Sequence, residues 1–178
     1  MTTLYTFDIE LNDVDRAVYE SLNLRVAQHP SETADHLVAR VLAYCLEYTE
    51  GIEFSRGLSG PDEPAVFVRD LTGALQVWVD VGLPEPERLH RASKAAPRVA
   101  VYTHKDPVQW AARVVDAKIH RAEKLDVYAF DRVWIGQIVA RLDRRMKFSL
   151  ARSEQEIYLA IGSDTFQTVL ERPFSFRS

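Results

Sequence analysis

One cysteine, Cys45, stands in a chain of 178 residues, so no disulfide can form within it. Val41, Leu42 and Leu46 flank that cysteine at helical spacing, which marks it as a small buried apolar residue and not a nucleophile. Long hydrophobic runs are missing too: no stretch approaches the ~20 apolar residues that a helical membrane span requires. No apolar segment follows a basic N-terminal region, and the simplest expectation is a cytoplasmic protein. Excess positive charge is also absent. Lysine and arginine number 22 against 26 acidic residues, a formal charge of −4. Global attraction to nucleic acid is thereby excluded, and any such contact must come from a local basic face.

The familiar catalytic signatures are lacking as well. There is no HExxH, CxxC, P-loop or GxSxG, so zinc hydrolases, nucleoside-triphosphate enzymes and acyl hydrolases are unsupported. His29, His36, His90, His104 and His120 show no metal-ligand spacing.

What is present is an ordinary globular balance, 47% apolar and 27% charged residues, in a chain of one-domain length. A chain of this size buries roughly 70% of its unfolded surface without needing a metal or disulfide. Residues 3–11 and 21–27 alternate apolar and polar, as paired strands do. Residues 12–15 read as a turn, with a short irregular or helical piece after it. His29-Pro30-Ser31-Glu32 is a helix-start signal, and Leu37, Val38, Val41, Cys45 and Tyr48 recur at helical spacing, predicting a helix over 31–49. Strands follow at 52–56, 65–69 and 75–81, the last two joined by Asp70-Leu71-Thr72-Gly73. Helices are predicted over 85–96, 106–118 and 131–142, with strands at 99–103 and 125–130. Residues 147–152, 157–161 and 165–170 read as a meander. The expected architecture is α/β, a single unit over 1–178. It has a mixed-sheet core and an accessory antiparallel sheet built from the two chain ends.

The middle of that order runs helix, three antiparallel strands, helix, strand. It is similar to the core of PD-(D/E)xK nucleases, in which two carboxylates on neighbouring strands bind a divalent cation and a nearby lysine stabilises developing charge. Mg2+ is a hard cation that prefers oxygen ligands, and the carboxylates must lie close together to activate water at one phosphate. Pro61-Asp62 precedes one predicted strand, and Asp80 lies in the next, just before Gly82 breaks it, which makes Asp62 and Asp80 the candidate ligands of Mg2+. The position of the lysine is Gly82, which carries no charge. A basic residue on the following helix is the alternative, and Arg88, Arg91, Lys94 and Arg98 fall within about 120° of helical arc. Arg88 or Lys94 is the candidate replacement. The same four residues are candidates for nucleic-acid contact, with a solvated helix face as the other reading.

Glu32, Glu63 and Asp70 are further candidates, each with a plainer role available: helix capping or helix-terminus dipole, turn residue and hairpin-turn hydrogen bonding respectively. Asp80 sits among apolar neighbours, where an unpaired carboxylate is costly. It either binds a cation or pairs with a base such as Arg56 or Arg88. Trp78, Trp110 and Trp134 are expected in the core. Arg141, Arg144, Arg145, Lys147 and Arg152 form a second basic cluster.

A wider resemblance rests on His29-Pro30-Ser31-Glu32-Thr33, Phe54-x-Arg56-Gly57-Leu58, Asp62-Glu63-Pro64, Trp78-x-Asp80-x-Gly82-Leu83-Pro84 and Arg88. On these the chain resembles the YaeQ family along essentially its whole length. The resemblance implies a nuclease-like architecture and assigns no activity. Nucleic acid is the partner it leaves open, with or without phosphodiester hydrolysis; the alternative is an inactive binding or interaction module.

Overall fold

The computed structural model describes residues 2–56 and 63–173. Two long strands, β1 (Thr3–Asp13) and β2 (Val18–Gln28), form a hairpin whose turn occupies residues 14–17. Strand pairing resumes directly after that turn, so no helical piece intervenes. Helix α1 (Ala34–Leu46) follows. Its first residue lies later than the proline signal suggests, because the N-cap is Thr33, whose hydroxyl accepts from the His36 amide at 3.1 Å. Pro30 sits instead in a turn closed by the Glu32 amide donating to the His29 carbonyl.

Three strands, β3 (Ile52–Phe54), β4 (Val66–Arg69) and β5 (Leu75–Val81), run antiparallel. Helix α2 (Pro86–Ala95) leads to β6 (Arg98–Thr103), and α3 (Val108–Asp116) leads to β7 (Leu125–Ala129). Strands β5, β6 and β7 are parallel, giving a mixed sheet of order β3-β4-β5-β6-β7. Helix α4 (Arg132–Val139) is capped by Asp131, whose carboxylate accepts from the Trp134 amide at 2.9 Å. The chain closes with the meander β8 (Arg145–Ser153), β9 (Glu156–Ile161) and β10 (Asp164–Val169).

That meander joins the N-terminal hairpin in a second sheet, β10-β9-β8-β1-β2. Local alternation predicts an antiparallel accessory sheet. The sheet is mixed, because β1 and β8 run parallel, Phe7 beside Met146 and Leu11 beside Leu150. Strands this far apart in sequence are free of the hairpin geometry that imposes antiparallel pairing.

Side-chain parity sorts the layers. In β1, Phe7, Ile9 and Leu11 point inward while Asp8, Glu10 and Asn12 face solvent. Every residue of α1 from Leu37 to Leu46 is buried, the mark of a helix covered on all sides. It packs between the two sheets in one large core, with α4 beside it. On the other face of the β3–β7 sheet, Trp78, Val99, Val101 and Val127 meet Leu89 and Ala92 of α2 and Trp110 and Val114 of α3. All three tryptophans are buried. Cys45 is buried within α1, and burial pushes its thiol up to about 12. No helix among the described residues is long and apolar enough to cross a membrane.

Candidate functional site

Trp78 and Asp80 are two residues apart in β5, so both project to the α2 side of the sheet. Asp80 is 2% exposed. A carboxylate there must be paired, and Arg88, in the first turn of α2, supplies the partner. Its Nε donates to Oδ2 at 2.7 Å and its Nη2 to Oδ1 at 3.0 Å, the bidentate geometry of a strong charge-assisted pair. The guanidinium lies 5.3 Å from the centre of the Trp78 ring, within cation–π range. Nη2 also donates to the main-chain carbonyl of Glu63. Arg88 thus ties the segment entering β4 to the carboxylate of β5.

Of the two candidate partners for Asp80, Arg88 fills the role. Asp62 lies outside the described residues. The Glu63 side chain is exposed and lines a surface cleft with Arg56 and Arg69. Asp70 stays in its hairpin turn, where its carboxylate accepts from Thr72, Ala74 and Gln76. Hydrogen bonds, led by that from the Thr72 hydroxyl, hold it below the usual carboxylate range.

Gly82 adopts a φ of +100° and its amide donates to the Tyr102 carbonyl at 2.9 Å. That backbone is strained for any side chain-bearing residue. The position where a nuclease lysine would stand is therefore a turn built for glycine.

Arg91 and Lys94 are exposed on α2. Arg98 is not part of their stripe. The helix ends at Ala95 and Arg98 opens β6, so helical spacing no longer sets its direction. Its side chain pairs with Glu47 at the end of α1 and with Asp126 of β7, the latter at 3.1 Å. Tyr102 donates to the same Glu47 at 2.6 Å and Arg172 pairs with Asp126 at 2.7 Å. Burial alone would lower the Arg98 pKa, but the Glu47 charge outweighs it and raises the pKa.

Glu32 performs neither a capping nor an open pocket role. Its carboxylate is fully buried and accepts from Arg40 at 2.9 and 3.0 Å and from His36. Burial pushes its pKa up, yet the bonds from His36 and Arg40 more than offset this and hold it below the usual range. Residues 32, 36 and 40 stand four apart, a spacing that could have revealed the ladder in the sequence. The Trp-x-Asp parity of β5 was likewise readable. The partners of Arg98 carried no local signal. His104, 6% exposed, packs edge-on to His36 with ring centroids 6.3 Å apart.

Among the described residues no group of three His, Cys, Asp or Glu side chains is arranged to hold a metal ion. Both oxygens of Asp80 are engaged by Arg88, and the other expected Mg2+ ligand, Asp62, lies outside the described residues. The second basic cluster lies in another layer: Arg145 and Lys147 are on β8, beyond α1 from α2.

The whole chain has clear relatives. The family model "YaeQ protein" matches residues 1–170. "Uncharacterized protein YaeQ" of Escherichia coli (strain K12) is 28% identical over 171 residues, covering 94% of this chain and 93% of that protein. The counterpart in Salmonella typhi matches at the same 28% over the same coverage. The crystal structure of YaeQ protein from Pseudomonas syringae superposes with a TM-score of 0.91 at 29% identity, covering 99% of this chain and 98% of that one. That of Xanthomonas axonopodis pv. citri gives 0.89 at 28%, covering 98% and 99%. With hairpin, central helix, both sheets and the Asp80–Arg88 site all inside the matched span, the chain belongs to the YaeQ family.

Proposed function

We propose that this chain has a PD-(D/E)xK nuclease-like core and binds nucleic acid along α2, beside the Asp80–Arg88 pair, without hydrolysing it. The order α1-β3-β4-β5-α2-β6 supports the core assignment, with α1 on one face of the sheet and α2 on the other. The observation that carries the reading is Arg88 itself, bonded at once to Asp80 of β5 and to the main chain entering β4. These are the two segments where the nuclease pattern has its carboxylates. Arg91 and Lys94, exposed on the same helix, supply cations for phosphate contact. The closed pair at Asp80 and the glycine turn at 82 argue against catalysis.

Fluorescence anisotropy with short single- and double-stranded DNA and RNA at low salt tests the reading. Replacing both Arg91 and Lys94 by alanine should weaken binding. It should also lower the slope of log K against log salt by about 1.8, at ~0.9 for each phosphate that is no longer neutralised. Absence of binding at low salt, or an unchanged slope, defeats it. Titration with Mg2+ or Mn2+ should leave the melting temperature unchanged. A metal-dependent rise that Asp80→Asn abolishes would restore a catalytic reading.

A further inference from the structure

The C-terminal ends of β6 and β7 lie side by side, Thr103 in register with Ala129, yet the chain leaves them in opposite directions. After β6 it turns through Lys105 and Asp106 into α3, whose Trp110 and Val114 pack on the outer face of the sheet. After β7 it turns through Phe130 and Asp131 into α4, whose Trp134, Ile135 and Ile138 pack on the inner face. Adjacent strands whose following helices diverge to opposite faces leave a crevice between their loops. In open α/β sheets that crevice is where ligands bind.

Here it is a cavity of about 670 Å3, within the roughly 300–1,000 Å3 of small-molecule sites. Lys105, Asp106, Asp131, Arg132, Gln167 and Glu171 are among its walls. Lys105 and Arg132 are exposed, and neither has an ion pair among the described residues. Asp106 and Asp131 each spend one oxygen on a helix start, accepting from the amides of Val108 at 3.1 Å and Trp134 at 2.9 Å. Their other oxygens have no partner among the described residues. Two cations without ion pairs among the described residues stand beside three carboxylates and an amide, a mixed lining that suits a ligand with one anionic group and several hydroxyls. A bare anion would meet the acids unfavourably, and a neutral sugar would leave the cations unused.

We infer that this crevice binds a small phosphorylated polyol, its phosphate on Lys105 and Arg132 and its hydroxyls on Asp106, Asp131 and Gln167. The site is separate from Asp80 and α2 and does not depend on the nucleic-acid reading.

Calorimetric titration of the full chain with ribose 5-phosphate, inorganic phosphate and ribose provides the test. Ribose 5-phosphate should bind at least tenfold more tightly than either fragment. Lys105→Ala and Arg132→Ala should each weaken it at least tenfold, with unchanged melting temperature since both side chains are exposed. Arg91→Ala on α2 should leave it unaltered. No binding of ribose 5-phosphate, equal binding of inorganic phosphate, or indifference to both crevice variants overturns the inference.

Discussion

Asp80 depends on one neighbour. Arg88→Ala would leave a carboxylate 2% exposed without its bidentate partner, and removal of one member of a buried pair costs about 3–5 kcal/mol. Urea denaturation of Arg88→Ala beside the double variant Asp80→Asn/Arg88→Met checks this; the double variant should recover part of the loss. Protonation acts on a second pair of residues. The Glu32 pKa is lowered in the fold, so its contribution is present above its unfolded value and is lost as pH falls through the folded one. His104 is lowered as well, chiefly by burial and then by His36. The folded state therefore takes up its proton less readily than the unfolded chain. Its contribution is complete above its ordinary value near 6.5 and declines as pH falls below that. Both effects have the same sign. Stability followed by thermal melts should decrease from pH 7 towards pH 4, and His104→Phe should flatten the upper part of that decline.

At the scale of elements, the boundaries are set by backbone chemistry. Thr33→Ala removes the side-chain oxygen bonded to the α1 first turn at His36, which should cost about 1 kcal/mol. The β5–α2 connection turns on Gly82. A Cβ there would meet nothing within 4 Å, so a substitution is penalised by backbone strain alone, about 1–3 kcal/mol. Gly82→Lys should therefore fold with reduced stability and confer no nuclease activity. Chemical denaturation and a phosphodiesterase assay read the two outcomes separately. Much of this level was legible in the sequence. The 75–81 strand matches β5 residue for residue, and Asp131 caps α4 as its position suggests. The start of α1 is misread from sequence because Pro30 mimics a first-turn proline, whereas the capping hydroxyl sits three residues later. Arg98 is wrongly grouped with the helical stripe, although the predicted helix ends at 96 and the observed one at Ala95, since an arc plotted at 3.6 residues per turn runs on past the helix end.

For the whole molecule, α1 is the common core of both sheets. Neither sheet can be removed without exposing a helix whose ten residues from Leu37 to Leu46 are all buried. We expect the chain to unfold as one unit, with far-ultraviolet circular dichroism and tryptophan fluorescence giving coincident transitions. The Glu47–Arg98–Asp126–Arg172 cluster links the end of α1, strands β6 and β7, and the segment after β10. Two antiparallel main-chain bonds between Ala129 and Glu171 add to that link.

Local chemistry settled the elements of this protein by itself: alternation made the strands, apolar periodicity the helices, and turn residues most of the joints. It also marked Asp80 as a carboxylate needing a partner, because charge among apolar neighbours is costly wherever the chain goes. Which partner answered that need was decided only when the sheet brought β5 against α2. The same holds for the parallel union of β1 with β8, for the pairing of Arg98 with Glu47 and Asp126, and for the crevice between the diverging ends of β6 and β7. Each joins residues far apart in the chain. Their meeting depends on how buried surfaces stack, a property that no local spacing encodes.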